Sequence, residues 1–228
     1  MRLLNTETRE LKGFVSGIPR YAILSHTWGE EEVTLQRLNS ATYADWSRPQ
    51  FSKIAMSCDL ARGDGHQWIW IDTCRIDKTS SAELSEAINS MFLRYHGSRI
   101  CYVYLVDVPD GDDPHQESSA FSRSRWFTRG WTLQELIAPE SVEFYTIDWQ
   151  YVGSREDLSD VISQVTGIFE DFLQLHLKLG TLPASRKMSW AARRKIALVE
   201  DVTYCLLGLF GIHIPLLYGE GTNAFRRL

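Results

Sequence analysis

The sequence predicts an α/β domain: a mainly parallel sheet flanked by helices, with a helical C-terminal extension. Short apolar runs at Tyr21–Ser25, Trp68–Asp72, Ile100–Val106 and Val142–Thr146 have the length and the β-branched and aromatic content of buried strands. The stretches between these runs include segments of helical spacing, and strands separated by helices build βαβ units around a parallel sheet. From about Gly153 onward the strand signal stops and helical patterns take over.

In chain order, Tyr21–Ser25 is bounded by Pro19 and Gly29. Phe51 to Ala61 follows Pro49 and puts Phe51, Ile54, Ala55 and Cys58 on one helical face. The second strand ends in a carboxylate, Asp72. Ser80-Ser81-Ala82-Glu83 has the form of a capping box, and the helix behind it turns Leu84, Ala87, Ile88, Met91 and Phe92 inward. Pro109 to Ser124 is polar and reads as an exposed loop. Trp126–Ile137 is expected to be one helix, stopped at Pro139. Beyond Val142–Thr146, helices are expected from Ser154 to Val165, over Ser185–Ala197 and over Asp201–Phe210, with a last helix starting near Gly219. The chain divides into an α/β core over 1–152 and a helical part over 153–228 of the same domain.

A chain of 228 residues with 44% hydrophobic and 23% charged residues is long enough and apolar enough to bury a core. Its formal net charge of −5 argues against nonspecific nucleic-acid binding. No apolar run is long enough to span a bilayer, and the start lacks the apolar core of a secretory signal, so a cytoplasmic location is expected. None of the four cysteines forms a CxxC pair and the six histidines are scattered, so no metal site is expected. There is no GxGxxG, no GxxxxGK[ST] and no GxSxG, which removes the common dinucleotide, P-loop and hydrolase signatures. A Cys74 nucleophile paired with His26 or His96 is a distant alternative.

In open parallel sheets ligands bind beyond the carboxyl ends of the strands. That rule selects Ser25-His26-Thr27-Trp28-Gly29-Glu30, Asp72 to Lys78, and the loop that leads into Trp126 and Glu135. Ser25 and His26 fit either turn chemistry or ligand contact, and Asp72 fits either a cap or a ligand. The segment from Arg125 to Pro139 sets one carboxylate, Glu135, among Trp126, Trp131, Arg125 and Arg129. Aromatic faces suit a heteroaromatic ring, arginines suit phosphates, and a carboxylate suits a developing positive charge. The competing reading is a helix packed by its tryptophans.

The segments Tyr21–Gly29, Trp70–Asp77, Arg129–Pro139 and Tyr218–Gly221 together resemble the fungal heterokaryon-incompatibility (HET) domain, in family order along nearly the whole chain. Cys74-Arg75 stands where many relatives have Cys-Ile. The HET domain is in turn similar to the Toll/interleukin-1 receptor (TIR) domain, with a flavodoxin-like core. Trp131-Thr132-Leu133-Gln134-Glu135-Leu136 resembles the tryptophan-to-glutamate motif of NAD-cleaving TIR domains, whose glutamate is catalytic.

This resemblance implies a self/non-self recognition and cell-death effector. It would cleave NAD+ as substrate, with no prosthetic group, through Glu135. Ser25, His26, Trp28, Asp72, Arg75, Arg129 and Trp131 are then the expected substrate contacts. A homo-oligomer on activation and an upstream recognition protein are the expected partners. The alternative is a non-enzymatic assembly module that triggers death by oligomerising.

Overall fold

The computed structural model describes residues 1–29, 31–73 and 80–228. Among them the strands are β1 (Arg2–Asn5), β2 (Leu11–Gly13), β3 (Ala22–His26), β4 (Trp68–Ile71), β5 (Ile100–Tyr104), β6 (Val142–Tyr145) and β7 (Tyr151–Ser154). They form one sheet in the order β2-β1-β4-β3-β5-β6-β7. The four inner strands, β4, β3, β5 and β6, are parallel; β1, β2 and β7 add antiparallel edges. Among the parallel strands the order is second, first, third, fourth, as in flavodoxin-like sheets, so the crossovers reverse direction between β3 and β5.

The helices are α1 (Leu35–Asn39), α2 (Pro49–Gly63), α3 (Ser81–Asn89), α4 (Met91–His96), α5 (Thr132–Ile137), α6 (Ser159–Thr166), α7 (Glu170–Leu173), α8 (Ala184–Ala191), α9 (Asp201–Tyr204), α10 (Leu207–Phe210) and α11 (Asn223–Arg226). Strand residues alternate between the two sheet faces. Ala22, Leu24, Ile69, Ile71 and Tyr102 pack with Phe51, Ile54 and Cys58 of α2. Ile23, Trp70, Cys101 and Val103 pack on the other face with Ala87, Met91, Tyr95, Leu133 and Leu136. Ile162, Phe172, Trp190 and Leu209 of the helical C-terminal part join that second core, so its helices close over the same face as α3 to α5. Truncating a fully buried leucine such as Leu133 would cost about 2–5 kcal/mol.

Local chemistry explains the helix starts. Pro49 occupies the first turn of α2, where its missing N–H costs nothing. Ser80 caps α3 by accepting the Glu83 N–H at 3.3 Å, while the Glu83 carboxylate pairs with Arg2 of β1. The expected helix over Trp126–Ile137 is broken in two. A 3-10 turn covers Arg125–Thr128, and α5 starts at Thr132. The break is tertiary: a Cβ on Gly130 would lie 2.7 Å from Ile196, and Arg129 bridges to Lys195. The Asp201–Phe210 helix likewise divides into α9 and α10, and Gly208 packs so closely on Phe92 that a Cβ there would lie 2.1 Å from it. Among the described residues no helix is long and apolar enough to cross a membrane.

Candidate active site

Ser25 is the penultimate residue of β3, and its side chain points to the face covered by α5. Two neighbours fix its hydroxyl. The Trp126 indole Nε1 donates to Ser25 Oγ at 2.8 Å. An indole can only donate, so the Ser25 proton is left to point elsewhere, and it is donated to Glu135 Oε2. A relay therefore runs from Trp126 through Ser25 to Glu135, all of it buried. Its scaffold is local. Asp107, just beyond β5, accepts from Ser124 Oγ at 2.7 Å and from the Arg125 N–H at 2.8 Å, which anchors the turn carrying Trp126. Arg125 Nε donates to Thr27 Oγ1 at 2.9 Å and ties that turn to the loop after β3.

Glu135 is 8% exposed. Burial pushes its carboxyl up to about 8; the Ser25 hydroxyl opposes this, the Asp72 carboxylate adds to it, and Tyr95 and Arg194 oppose it. Near neutral pH it holds a proton that an exposed glutamate has lost. A positively charged ligand would favour its ionised form, because opposite charges in a dry site attract strongly.

His26 follows Ser25 and so points to the opposite sheet face. It is buried, neither ring nitrogen has a hydrogen-bond partner among the described residues, and they lie 3.5 Å from Glu32 Oε2 and 3.9 Å from Asp72 Oδ1. Burial raises the Glu32 carboxyl, but His26, Lys53 and the Gly29 N–H outweigh it and hold it at about 2. Trp28 is 40% exposed and donates to Asp72 Oδ2 at 2.7 Å. Ser25, His26, Trp28, Asp72 and Glu135 therefore gather at the carboxyl ends of β3 and β4. Arg129 and Trp131 go elsewhere. Trp131 Nε1 donates to Asp201 Oδ2 at 3.3 Å, Arg129 acts electrostatically on the same carboxyl, and Tyr218 donates to its other oxygen at 3.0 Å. Arg75 and Cys74 lie outside the described residues. His96, the other partner considered for Cys74, contacts the Ala138 carbonyl at 3.1 Å.

The Tyr218–Gly221 segment serves as a clasp. The Glu200 carboxylate accepts the N–H groups of Gly219 and Gly221 at 2.8 and 2.9 Å. Both glycines have positive φ, 100° and 60°, which explains the residue type.

Two arginines escaped the sequence reading. Arg155 is 1% exposed and donates to the carbonyls of Leu136, Pro139, Glu140 and Leu173 at 2.8–3.0 Å and to Glu156. It binds the carboxyl end of α5, where a cation suits the helix dipole. Arg194 donates to the Arg129 carbonyl and to Thr132 Oγ1, both at 2.9 Å, at the start of α5. Both stand next to acidic or basic residues in polar stretches, so nothing in the sequence marks them as interior. Among the described residues no group of three or more His, Cys, Asp or Glu side chains is placed to hold a metal ion.

A family model described as heterokaryon incompatibility protein (HET) matches residues 21–115, from β3 into the loop after β5. The chain is also similar to vegetative incompatibility protein HET-E-1 of Podospora anserina, with 45% identity over 240 residues. That alignment takes in 100% of this chain, Glu135 included, but the chain spans only 18% of the relative's length. No solved structure matches the chain.

Proposed function

The chain belongs to the heterokaryon incompatibility (HET) family, and from that membership we propose that it acts in fungal self/non-self recognition and cell death by cleaving NAD+. The bond broken is the one between ribose C1′ and the nicotinamide nitrogen. Its electron pair leaves with the ring, which becomes neutral nicotinamide. Water adds its oxygen to C1′ and releases a proton, giving ADP-ribose. The transition state carries positive charge on the ribose, and Glu135 is the group that stabilises it. One well-placed group of this kind supplies about 3–4 kcal/mol.

The observation that carries this reading is the buried relay Trp126–Ser25–Glu135 at the carboxyl end of β3. A carboxyl pushed up to about 8, beside the carboxylate of Asp72, is a site poised for a cation. The pyridinium of NAD+ supplies one. Trp28, tied to Asp72, offers an aromatic wall for the ring.

A second reading is favoured by a different observation. All of α5 is buried and Glu135 is only 8% exposed, as expected of a packing element in a non-enzymatic assembly module. The readings separate in one assay. Purified protein at high concentration, and again when fused to an oligomerising domain, is given NAD+, and nicotinamide is measured. Release that disappears in Glu135→Gln supports the glycohydrolase. Release from neither protein in either form moves the assignment to the assembly module. If assembly opens the site, specific activity rises with protein concentration.

A further inference from the structure

A broad cleft whose lining does not include Glu135 lies on the other side of the sheet. It has a volume of about 1020 Å³ and opens over the N-terminal half of α2. Its walls come from the carboxyl ends of three parallel strands: Gly29 and Glu32 after β3, Tyr104 and Val106 at the end of β5, and Ile147 to Trp149 after β6. Beyond these ends, at the β3/β5 reversal, doubly wound sheets place their ligands. The volume matches the upper end of the roughly 300–1,000 Å³ of small-molecule clefts.

The lining says what class of molecule fits. Trp46 supplies an aromatic ring from the segment before α2, and Tyr104 and Trp149 supply two more, stacked on each other at 4.7 Å. Met56 on α2 is 41% exposed and adds a soft apolar surface. Three lining carboxylates, Glu31, Glu32 and Asp148, stand against two cations, Arg48 and Lys53, so the described lining is one charge negative. Lys53 is held by Glu32 at 2.5 Å and Arg48 by Asp45 at 3.2 Å. Such a lining disfavours a bare anion. It suits a planar ring with a sugar diol, the ring on the aromatic side chains and the hydroxyls donating to a carboxylate.

Trp149 adds a separate argument. It sits in the turn between β6 and β7 with φ 62°, a left-handed conformation that a non-glycine residue rarely adopts. Glycine would adopt that backbone without strain. Its ring packs on Tyr104 and Tyr145 at the edge of the core and also forms part of the cleft wall.

We propose that this cleft binds the adenosine moiety of a nucleotide. The choice of adenosine over another planar ring rests on the NAD+ reading above; the site then holds the adenosine half of that substrate. Loss of a single base-stacking aromatic side chain weakens binding by about tenfold or more, which sets the size of the effect to look for.

The test is calorimetric titration of the full chain with adenosine, for wild type, Trp149→Gly and Met56→Asp, with thermal melts to confirm folding. Trp149→Gly suits the left-handed backbone, so it removes the ring without straining the turn. The expected result is binding by wild type, weakened about tenfold or more in both variants, and a KM for NAD+ that rises with it. No binding of adenosine at millimolar concentration, equal binding by all three proteins, or an unchanged KM in folded variants would overturn the assignment. Adenosine binding that is lost in the variants, in a protein that leaves NAD+ intact, would uphold the cleft and remove the glycohydrolase reading instead.

Discussion

The two faces of the sheet treat the carboxyl end of β3 in opposite ways. On one face Ser25 is roofed by Trp126 and Glu135, and the C-terminal helices seal them in. On the other, the groups beyond His26 open into a cleft walled by Trp46, Tyr104 and Trp149. Neighbouring residues of one strand thus serve a dry site and a wet one. The sealed face raises the proton affinity of its carboxyl by burial, whereas the other side holds the Glu32 carboxyl at about 2 by surrounding it with donors. Burial alone does not decide the charge of an acid; the donors around it do.

The contrast can be broken most severely at Arg155. It satisfies four carbonyls around the end of α5, so Arg155→Ala would leave them unpaired in the sealed core. The expected loss is about 3–5 kcal/mol, read from urea unfolding. A loss under about 1 kcal/mol would mean that α5 is held by its apolar contacts alone.

The next effect concerns pH. Glu135 takes up its proton more tightly folded than unfolded, so its cost to the fold is absent below pH 4.5. That cost grows as pH rises to about 8, because the folded protein binds the extra proton across this window. Wild-type stability should therefore fall by a few kcal/mol between pH 5 and 8 relative to Glu135→Gln. Parallel curves for the two proteins would show that Glu135 is ionised at no cost.

Ser25→Ala sharpens the same point at smaller scale. It removes the donor that opposes burial, and leaves the Trp126 N–H without its acceptor. A loss of about 1–3 kcal/mol and a further rise in the Glu135 proton affinity are expected, the latter read by carboxyl NMR titration. On the open side the matching change should do almost nothing to the fold. Met56→Gln is expected to stay within about 0.5 kcal/mol of wild type in the same unfolding assay.

Much of this architecture was legible in the sequence. The four parallel strands announce themselves because each is a short, nearly continuous apolar run, the pattern of a strand buried on both faces. The edges do not. β1 is four residues long with Leu3 and Leu4 on opposite faces, and Tyr151 of β7 is 55% exposed, so neither has a period to read. Among site residues, Ser25, Asp72 and Glu135 were accessible through the rule for strand ends. The separation of Ser25 from His26 follows from β alternation once the strand is known. Trp131 and Arg129 flank Glu135 in sequence, but the chain breaks at Gly130 and carries them to Asp201. That break depends on Ile196, more than sixty residues later. The cleft was invisible for the same reason: Trp46, Tyr104 and Trp149 meet only after the crossovers are folded.

The proposed chemistry rests on Glu135, which holds a proton near neutral pH and must lose it to stabilise a cation. The measurement that meets it most directly is the pH dependence of kcat/KM for NAD+, which reports the ionisation of the free protein. Activity should climb with pH, be half-maximal near pH 8 and vanish in Glu135→Gln. Cleavage that stays flat from pH 6 to 9, or persists in Glu135→Gln, would contradict it.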